Sequence, residues 1–162
     1  MSFSSLSDFI SESQIECLNE DSDYSVNDMF LGRSVLKSDI DAQLLISIPF
    51  SSPVKLNGIK IACTDNKDAA PSRVKLFINR ISLGFGDAEN LPAIQTLSFD
   101  QIESGETIPL KYVLFQNVMS LQIFVESNHG DVDKTEIAGI ELFGSAGEKM
   151  DMKEFKKITH EH

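Results

Sequence analysis

Residue types that carry chemistry are scarce in this chain of 162 residues. It has no tryptophan, two tyrosines and two cysteines, Cys17 and Cys63, which stand too far apart for a Cys-x-x-Cys redox pair or a zinc knuckle. With so few cysteines in a domain of this size, we expect reduced thiols in a cytosolic or nuclear protein. The first residues lack the pattern of a signal peptide, and no apolar run is long enough to span a bilayer.

Basic residues are also few, because 14 lysines and arginines stand against 25 acids, which gives a formal net charge of −11. Nucleic acids and anionic membranes both require a basic face, so this balance argues against either as a partner. It permits a partner with a basic surface. The acids are concentrated at the start of the chain, since residues 1–43 carry a net charge of −7 and the other 119 residues carry −4.

Short apolar or alternating runs between turn-forming residues dominate the chain. They predict strands at residues 44–50, 54–61, 73–79, 93–99, 107–110, 111–118, 121–126 and 135–144. The sequence Ser51-Ser52-Pro53 predicts a turn between the first two strands, and a change of parity at Asn57-Gly58 predicts a bulge. No long amphipathic helix interrupts the series. The pattern is typical of an all-β fold, an antiparallel β-sandwich or jelly roll.

The two ends of the chain depart from this pattern. Residues 1–35 are interpreted as an irregular wrap held by apolar side chains, with a short helix at 7–12. Residues 148–162 carry four acids and four bases, which fits either a short docking helix or a free tail. We therefore divide the chain into an N-terminal extension (1–14), a β-sandwich domain (15–147) and a C-terminal tail (148–162).

No motif predicts a catalytic site, an intrinsic metal site or a cofactor. The chain has no Gly-x-Ser-x-Gly elbow, and the glycines at 84–86 lack the context of a dinucleotide-binding loop. Asp21, Asp23 and Asn27 have a spacing that superficially suggests calcium, but the glycine and terminal glutamate of an EF-hand are missing, so a solvated loop is expected. His129 lies in a turn-forming segment and is expected to be exposed.

Asp39 and Asp41 are the first candidates for contact with a partner. Their i, i+2 spacing places both carboxylates on the same side of an extended segment, directly before the first predicted strand. Such a pair would offer a charged edge to a lysine or arginine of another protein. The alternative is that these acids keep the edge of a sheet from pairing with another chain.

The C-terminal tail supplies the second group of candidates, which are Lys156, Lys157, His160 and His162. The two histidines flank a glutamate, and imidazoles are common zinc ligands. They would be donors to a metal on another protein, because nothing in the sequence forms an intrinsic site around them. The alternative is a solvated tail with no such role.

Residues 36–46 (LKSDIDAQLLI) resemble the ESDxDEQLLI signature of the PITH domain. This is the proteasome-interacting module found at the C-terminus of thioredoxin-like proteins and also as a standalone protein. Further ordered blocks of resemblance are ECLNE (16–20), VKLFIN (74–79), DAE (87–89), IPLKYVLFQNV (108–118), SLQIFVESN (120–128) and LFG (142–144). Together they cover about residues 15–158. Lys37 and Ala42 replace acids that are usual in the signature, and the turn at 131–134 is less acidic than in the family.

The resemblance implies a jelly-roll sandwich similar to galactose-binding domains, and association with the 19S regulatory particle of the 26S proteasome. On this hypothesis the chain is a monomeric, non-enzymatic binding module of the cytoplasm and nucleus. It is either a standalone protein or a domain of a longer chain with a thioredoxin domain. A narrower version places His160 or His162 at the zinc site of the proteasome's own deubiquitinase.

Two alternatives belong to other classes of function. The first is carbohydrate binding, which galactose-binding-like folds often support. Sugar sites usually stack the ring on an aromatic face, so the lack of tryptophan and the two tyrosines count against it. The second is an accessory role in a thioredoxin-type redox protein, which two distant cysteines disfavour.

Overall fold

The computed structural model describes residues 4–146 of the chain. The strands in this range are β1 (Ser4–Ser5), β2 (Glu16–Leu18), β3 (Leu36–Lys37), β4 (Leu44–Ala62), β5 (Pro71–Ile78), β6 (Gln95–Ser98), β7 (Ile108–Pro109), β8 (Val118–Asn128), β9 (Glu136–Ile137) and β10 (Gly139–Ala146). The α-helices are α1 (Val26–Phe30), α2 (Phe85–Asn90) and α3 (Phe99–Glu103). Short 3₁₀ turns lie at Ser7–Phe9, Glu12–Gln14, Lys67–Ala69 and Tyr112–Leu114. No helix within residues 4–146 is long and apolar enough to cross a membrane.

The central element is β4, whose two halves belong to the two layers of an antiparallel β-sandwich. The strand order is β1-β10-β4-β8-β5-β6, and β2 and β7 pair with β4 outside that path. The first half of β4 lies between β2 and β8, whereas its second half pairs with β10 and β7. Inward side chains from both halves pack into one hydrophobic core. The prediction of an all-β antiparallel sandwich is confirmed.

The predicted turn at residues 51–53 is wrong, because β4 runs through it as one strand of 19 residues. Phe50, Ser52 and Val54 are all buried, so the alternation of inward and outward side chains continues across the segment. Pro49 and Pro53 lack the backbone N–H group with which a strand donates hydrogen bonds to its neighbour. The pairing of β4 with β8 accordingly shifts register between Pro49 and Val54. The chain continues as a strand there and does not reverse.

The predicted bulge in β4 is confirmed. Phe143 of β10 pairs with Gly58 and Gly144 pairs with Leu56, so Asn57 has no partner in that register. Gly144 lies directly against the backbone of Lys55, where a Cβ atom would overlap the carbonyl group. A side chain at position 144 is therefore excluded by the close approach of the two strands.

Other local predictions need correction. The strand predicted at 111–118 is wrong, because Tyr112–Leu114 form a 3₁₀ turn and only Val118 begins β8. Val113 is 79% exposed. The apolar residues at 112–114 therefore do not mark a buried strand, because single apolar side chains are common on protein surfaces. The short helix predicted at 7–12 is replaced by 3₁₀ turns at Ser7–Phe9 and Glu12–Gln14. The irregular wrap at 1–35 contains β1, β2 and α1 within its described part.

A smaller hydrophobic cluster lies on the outer face of the sheet. It joins Leu45, Phe77 and Phe124, from three neighbouring strands, to Ala88 of α2. The segment around α2 thus covers part of the outer face. Among residues 4–146, the outer face of β4 and β8 is open beyond that segment and forms the floor of a trough.

Candidate protein-interaction surface

The side chain of Asn19 makes four hydrogen bonds to the acidic loop at residues 39–43. Its Nδ2 donates to the Asp41 carbonyl (3.2 Å), the Asp41 carboxylate (2.9 Å) and the Gln43 carbonyl (2.7 Å). Its Oδ1 accepts from the backbone N–H of Ile40 at 3.1 Å. Asn19 has a φ of +70°, a conformation that asparagine tolerates better than most residues. The Asn19 backbone carbonyl also accepts from the Asp39 N–H at 2.8 Å, so this one residue contacts the loop at four of its five positions, 39, 40, 41 and 43.

The two acids of the loop have different surroundings. The Asp41 carboxylate accepts from the Asn19 side chain and from the backbone N–H of Gln43 (3.0 Å), so it is part of the internal structure of the loop. Asp39 is exposed, and its carboxylate makes no hydrogen bond or ion pair with the residues that the structure describes. Between them, Ile40 is 84% exposed. The loop therefore presents one free carboxylate and one aliphatic side chain.

Buried polar groups fix the base of the loop. Ser38, directly before it, exchanges two hydrogen bonds with Thr135: Ser38 N–H donates to the Thr135 carbonyl (3.0 Å), and Thr135 N–H donates to Ser38 Oγ (2.8 Å). The Thr135 hydroxyl donates to the Ala42 carbonyl at 2.6 Å and accepts from Asn128. Because Ser38 and Thr135 are fully buried, these bonds are protected from competition by water.

Helix α2 is tied to the same loop. The Gln43 side chain donates to the Glu89 carboxylate at 3.1 Å. Lys75, only 9% exposed, donates to the carbonyls of Ala88 and Glu89 at 3.0 Å and of Leu91 at 3.5 Å. A lysine ammonium at the end of a helix satisfies carbonyls that have no partner within the helix. Lys75 thus holds the acidic end of α2 beside the loop.

The basic residues near the loop are engaged within the domain. Lys37 lies over the Tyr24 ring, with its Nζ 4.2 Å from the ring centroid, and 3.9 Å from a Glu136 carboxylate oxygen. Lys134 pairs with Asp21 at 3.2 Å. The backbone N–H of Asp23 and then Lys134 hold the pKa of the Asp21 carboxyl below its usual value. These lysines do not neutralise Asp39.

A trough crosses the open part of the outer sheet face. Its floor is formed by outward residues of β4 and β8. One wall is β2 with the turn before it, and the other is the loop at 80–84. It comprises two adjoining hollows of about 270 and 520 Å³, lined by Ser13, Gln14, Glu16, Leu18, Leu45, Ser47, Pro49, Arg80, Ile81, Ser82, Leu83, Gly84, Ser120 and Gln122. None of these lining residues is aromatic.

The remaining sequence candidates do not form a site in the described residues. Among residues 4–146, no group of three or more His, Cys, Asp or Glu side chains is placed to hold a metal ion. Burial, and then the charge of Glu20, raise the pKa of the Cys17 thiol, and burial also raises the pKa of Cys63. Both thiols are free and remain protonated near neutral pH, so neither is an activated nucleophile. His129 is exposed as predicted. Its ring stacks on that of Phe99, with the two ring centroids 3.9 Å apart.

Sequence reasoning selected Asp39 and Asp41 but missed Asn19 and Ile40. The signal for Asn19 was its place in a short polar turn, where asparagine accepts a positive φ. Nothing in the sequence indicated that it would reach residues 21–24 positions away. The candidates Lys156, Lys157, His160 and His162, with the rest of the tail at 148–162, lie outside the described residues.

Fold and surface together define an antiparallel β-sandwich with an acidic loop whose backbone is held by hydrogen bonds. Solved structures confirm the fold. A CBM32 domain from a family 31 glycoside hydrolase of Clostridium perfringens matches with a TM-score of 0.58 and 19% identity, covering 86% of this chain and 97% of its own. An F5/8 type C domain from Bacteroides fragilis matches with a TM-score of 0.60 and 12% identity. The match covers 89% of this chain and 97% of that domain. At these identities the likeness concerns the fold alone.

The chain belongs to the PITH domain family, because the PITH domain model matches residues 1–160. Thioredoxin-like protein 1 of Schizosaccharomyces pombe is 40% identical over 149 residues, which are 88% of this chain and 51% of that protein. PITH domain-containing protein 1 of Homo sapiens is 36% identical over 139 residues, 81% of this chain and 64% of that protein. The chain thus spans about half to two thirds of the length of these relatives. The names of the PITH domain-containing relatives indicate no enzymatic activity.

Proposed function

We propose that this chain is a non-enzymatic protein-binding module that associates with the 19S regulatory particle of the 26S proteasome, in the cytoplasm and nucleus. The observation that carries the proposal is the pre-organised loop at 39–43, which Asn19 holds in one conformation while Asp39 and Ile40 stay free. A loop that is already ordered loses little conformational entropy when it binds. Its free carboxylate suits a basic partner surface, in keeping with the net charge of −11.

Cross-linking mass spectrometry of the protein with purified 26S proteasome tests the association. We expect cross-links from residues near the loop to subunits of the regulatory particle. Asp39→Asn should slow association and reduce its salt dependence, with an affinity loss of about twofold to fivefold, because an exposed charge mainly acts on the rate of encounter. Glu106→Gln, an exposed acid elsewhere on the domain, is the matched control and should leave binding unchanged. Equal effects of the two substitutions would contradict a specific role for the loop.

We further propose that the C-terminal residues Lys156, Lys157, His160 and His162 make a second contact. In the narrower form of this proposal, His160 or His162 is a donor to the zinc ion of the proteasome's deubiquitinase, since zinc accepts imidazole nitrogen. Truncation after Gly147 tests the tail, and the double substitution His160→Ala and His162→Ala tests the donors. Undiminished proteasome binding by the truncated protein would eliminate the second contact.

The carbohydrate-binding alternative has no specific observation in its favour. The CBM32 likeness is one of fold, and the trough on the outer face has no aromatic ring on which a sugar would stack. The redox alternative is weakened by the raised pKa of both thiols. In a longer parent chain, a thioredoxin domain would supply any redox chemistry, and this domain would supply the docking. Replacing both cysteines by serine should leave proteasome binding intact.

A further inference from the structure

The loop that forms one wall of the trough exposes an isoleucine while its own backbone is held firmly. Ile81 is 94% exposed. The residue before it, Arg80, donates its N–H to the side chain of Gln122 at 3.0 Å. Asn79, with a φ of +57°, donates to the Asn117 carbonyl and accepts from Met119 and Ser120 N–H groups. Ile81 is therefore presented to solvent by a fixed loop. Across the trough, the aliphatic side chain of Leu18 is 45% exposed.

The floor of the trough carries hydroxyl groups that still have a hydrogen to donate. Gln122 is 1% exposed, and its Nε2 donates to Ser47 Oγ (3.1 Å) and Ser120 Oγ (2.9 Å). Each serine oxygen thus receives a hydrogen bond, and its own O–H has no acceptor among residues 4–146. A hydroxyl donates as well as accepts, so these groups are suited to a carbonyl oxygen of an incoming backbone.

Two acids and one base line the trough and the hollow that adjoins it. Glu16 lines the wall formed by β2, and Asp87 of α2 lines a hollow that continues behind Ile81. Glu89 lies two residues after Asp87 in α2, and its carboxylate accepts from the side chain of Gln43 in the acidic loop. The basic residue lining the trough is Arg80. This surface suits a partner that carries lysine or arginine close to apolar side chains.

We propose that the trough is the docking site for an extended, basic and partly apolar segment of a partner protein. Carbonyl groups of that segment accept from Ser47 and Ser120, its apolar side chains pack against Ile81 and Leu18, and its lysine or arginine side chains face Glu16 and Asp87. The inference rests on the proposed function, because the partner is taken to be a subunit of the proteasome regulatory particle. It adds a contact face distinct from the loop at 39–43.

The test compares the affinity of the full chain for purified 19S regulatory particle among matched variants. Ile81→Ser should weaken binding by about tenfold, because the variant buries less apolar surface when the partner docks. Val113→Ser, which is 79% exposed and lines neither hollow, is the control and should stay within about twofold. A second pair, Glu16→Gln against Glu106→Gln, should differ in the salt dependence of binding. Equal urea midpoints would show that all the variants are folded.

The outcomes separate the two proposals. If the wild-type chain does not bind the regulatory particle, the proposed function and this inference both fall. If it binds and Ile81→Ser binds as well as Val113→Ser, this inference falls and the proposed function stands. Cross-links within the free chain between the trough and residues 148–162 would identify the chain's own segment as the occupant. A dimer that Ile81→Ser dissociates would identify a second copy. Either result overturns the assignment to a partner.

Discussion

The loop at 39–43 depends on Asn19, and Asn19→Ala is the sharpest test of that dependence. The substitution removes hydrogen bonds to the Asp41 carbonyl and carboxylate, to the Gln43 carbonyl and from the Ile40 N–H. Most of these bonds are exposed to solvent, so each contributes near the lower limit of about 0.5–1.5 kcal/mol. Alanine also tolerates the φ of +70° less well than asparagine, which costs about 1 kcal/mol more.

These contributions give an expected loss of about 3 kcal/mol in the free energy of unfolding. For a domain of this size the melting temperature should fall by about 6–12 °C. Asn19→Gly separates the two causes, because glycine accepts the positive φ but makes none of the side-chain hydrogen bonds. It should cost about 2 kcal/mol.

Urea titration measures the free energy of unfolding of both variants, and their m-values should equal that of the wild type. A loss below about 1 kcal/mol for Asn19→Ala would refute the reasoning, because the hydrogen bonds would then contribute almost nothing. Stability of Asn19→Gly equal to the wild type would refute it as well, since only the backbone conformation would matter. Hydrogen exchange at Ile40 and Gln43 reports on the loop itself, and both amides should exchange faster in either variant.

Three further predictions concern the scaffold. Lys75→Met should lower the free energy of unfolding by about 2–3 kcal/mol in urea, because the carbonyls at the end of α2 lose their donor; no loss would show that water replaces the ammonium. Gly144→Ala should prevent accumulation of folded protein, whereas Gly86→Ala, in open space within α2, should be neutral or slightly stabilising; circular dichroism and solubility compare the two. Asp21 has a lowered pKa in the folded state, so its contribution is present at neutral pH and is lost as the pH falls through that pKa. The stability difference between wild type and Asp21→Asn should therefore shrink below about pH 4, and a difference that grew on acidification would contradict this sign.

Much of the fold could be predicted because burial leaves a period-two pattern. Val74 and Leu76 of β5, and Leu121 and Ile123 of β8, pack in the main core at alternate positions, and both strands are predicted correctly. The errors occurred where local composition and tertiary packing disagree. A proline-containing run that favours a turn remained extended in β4, because its neighbours on both sides keep inward side chains in the core.

The candidate site was less predictable, because its defining contacts are distant in sequence. Asp39 and Asp41 are equivalent in the sequence pattern, and they differ only because Asn19 reaches one of them. Likewise, Ile81 stands in a loop that resembles any other polar connection until Gln122 is seen to hold it. Composition indicates which residues are charged or apolar, but only the tertiary hydrogen bonds decide which of them remain free.

That distinction changes how the acidic signature is understood. If Asp39 and Asp41 acted as an equivalent pair, either substitution would weaken binding without loss of stability. In the structure Asp41 accepts hydrogen bonds from Asn19 and Gln43, so Asp41→Asn should act first on the order of the loop and only through it on binding. Asp39, with no such contact among the described residues, should act on binding alone. Asp41 is thus a structural support of the loop, and Asp39 and Ile40 are the groups available to a partner.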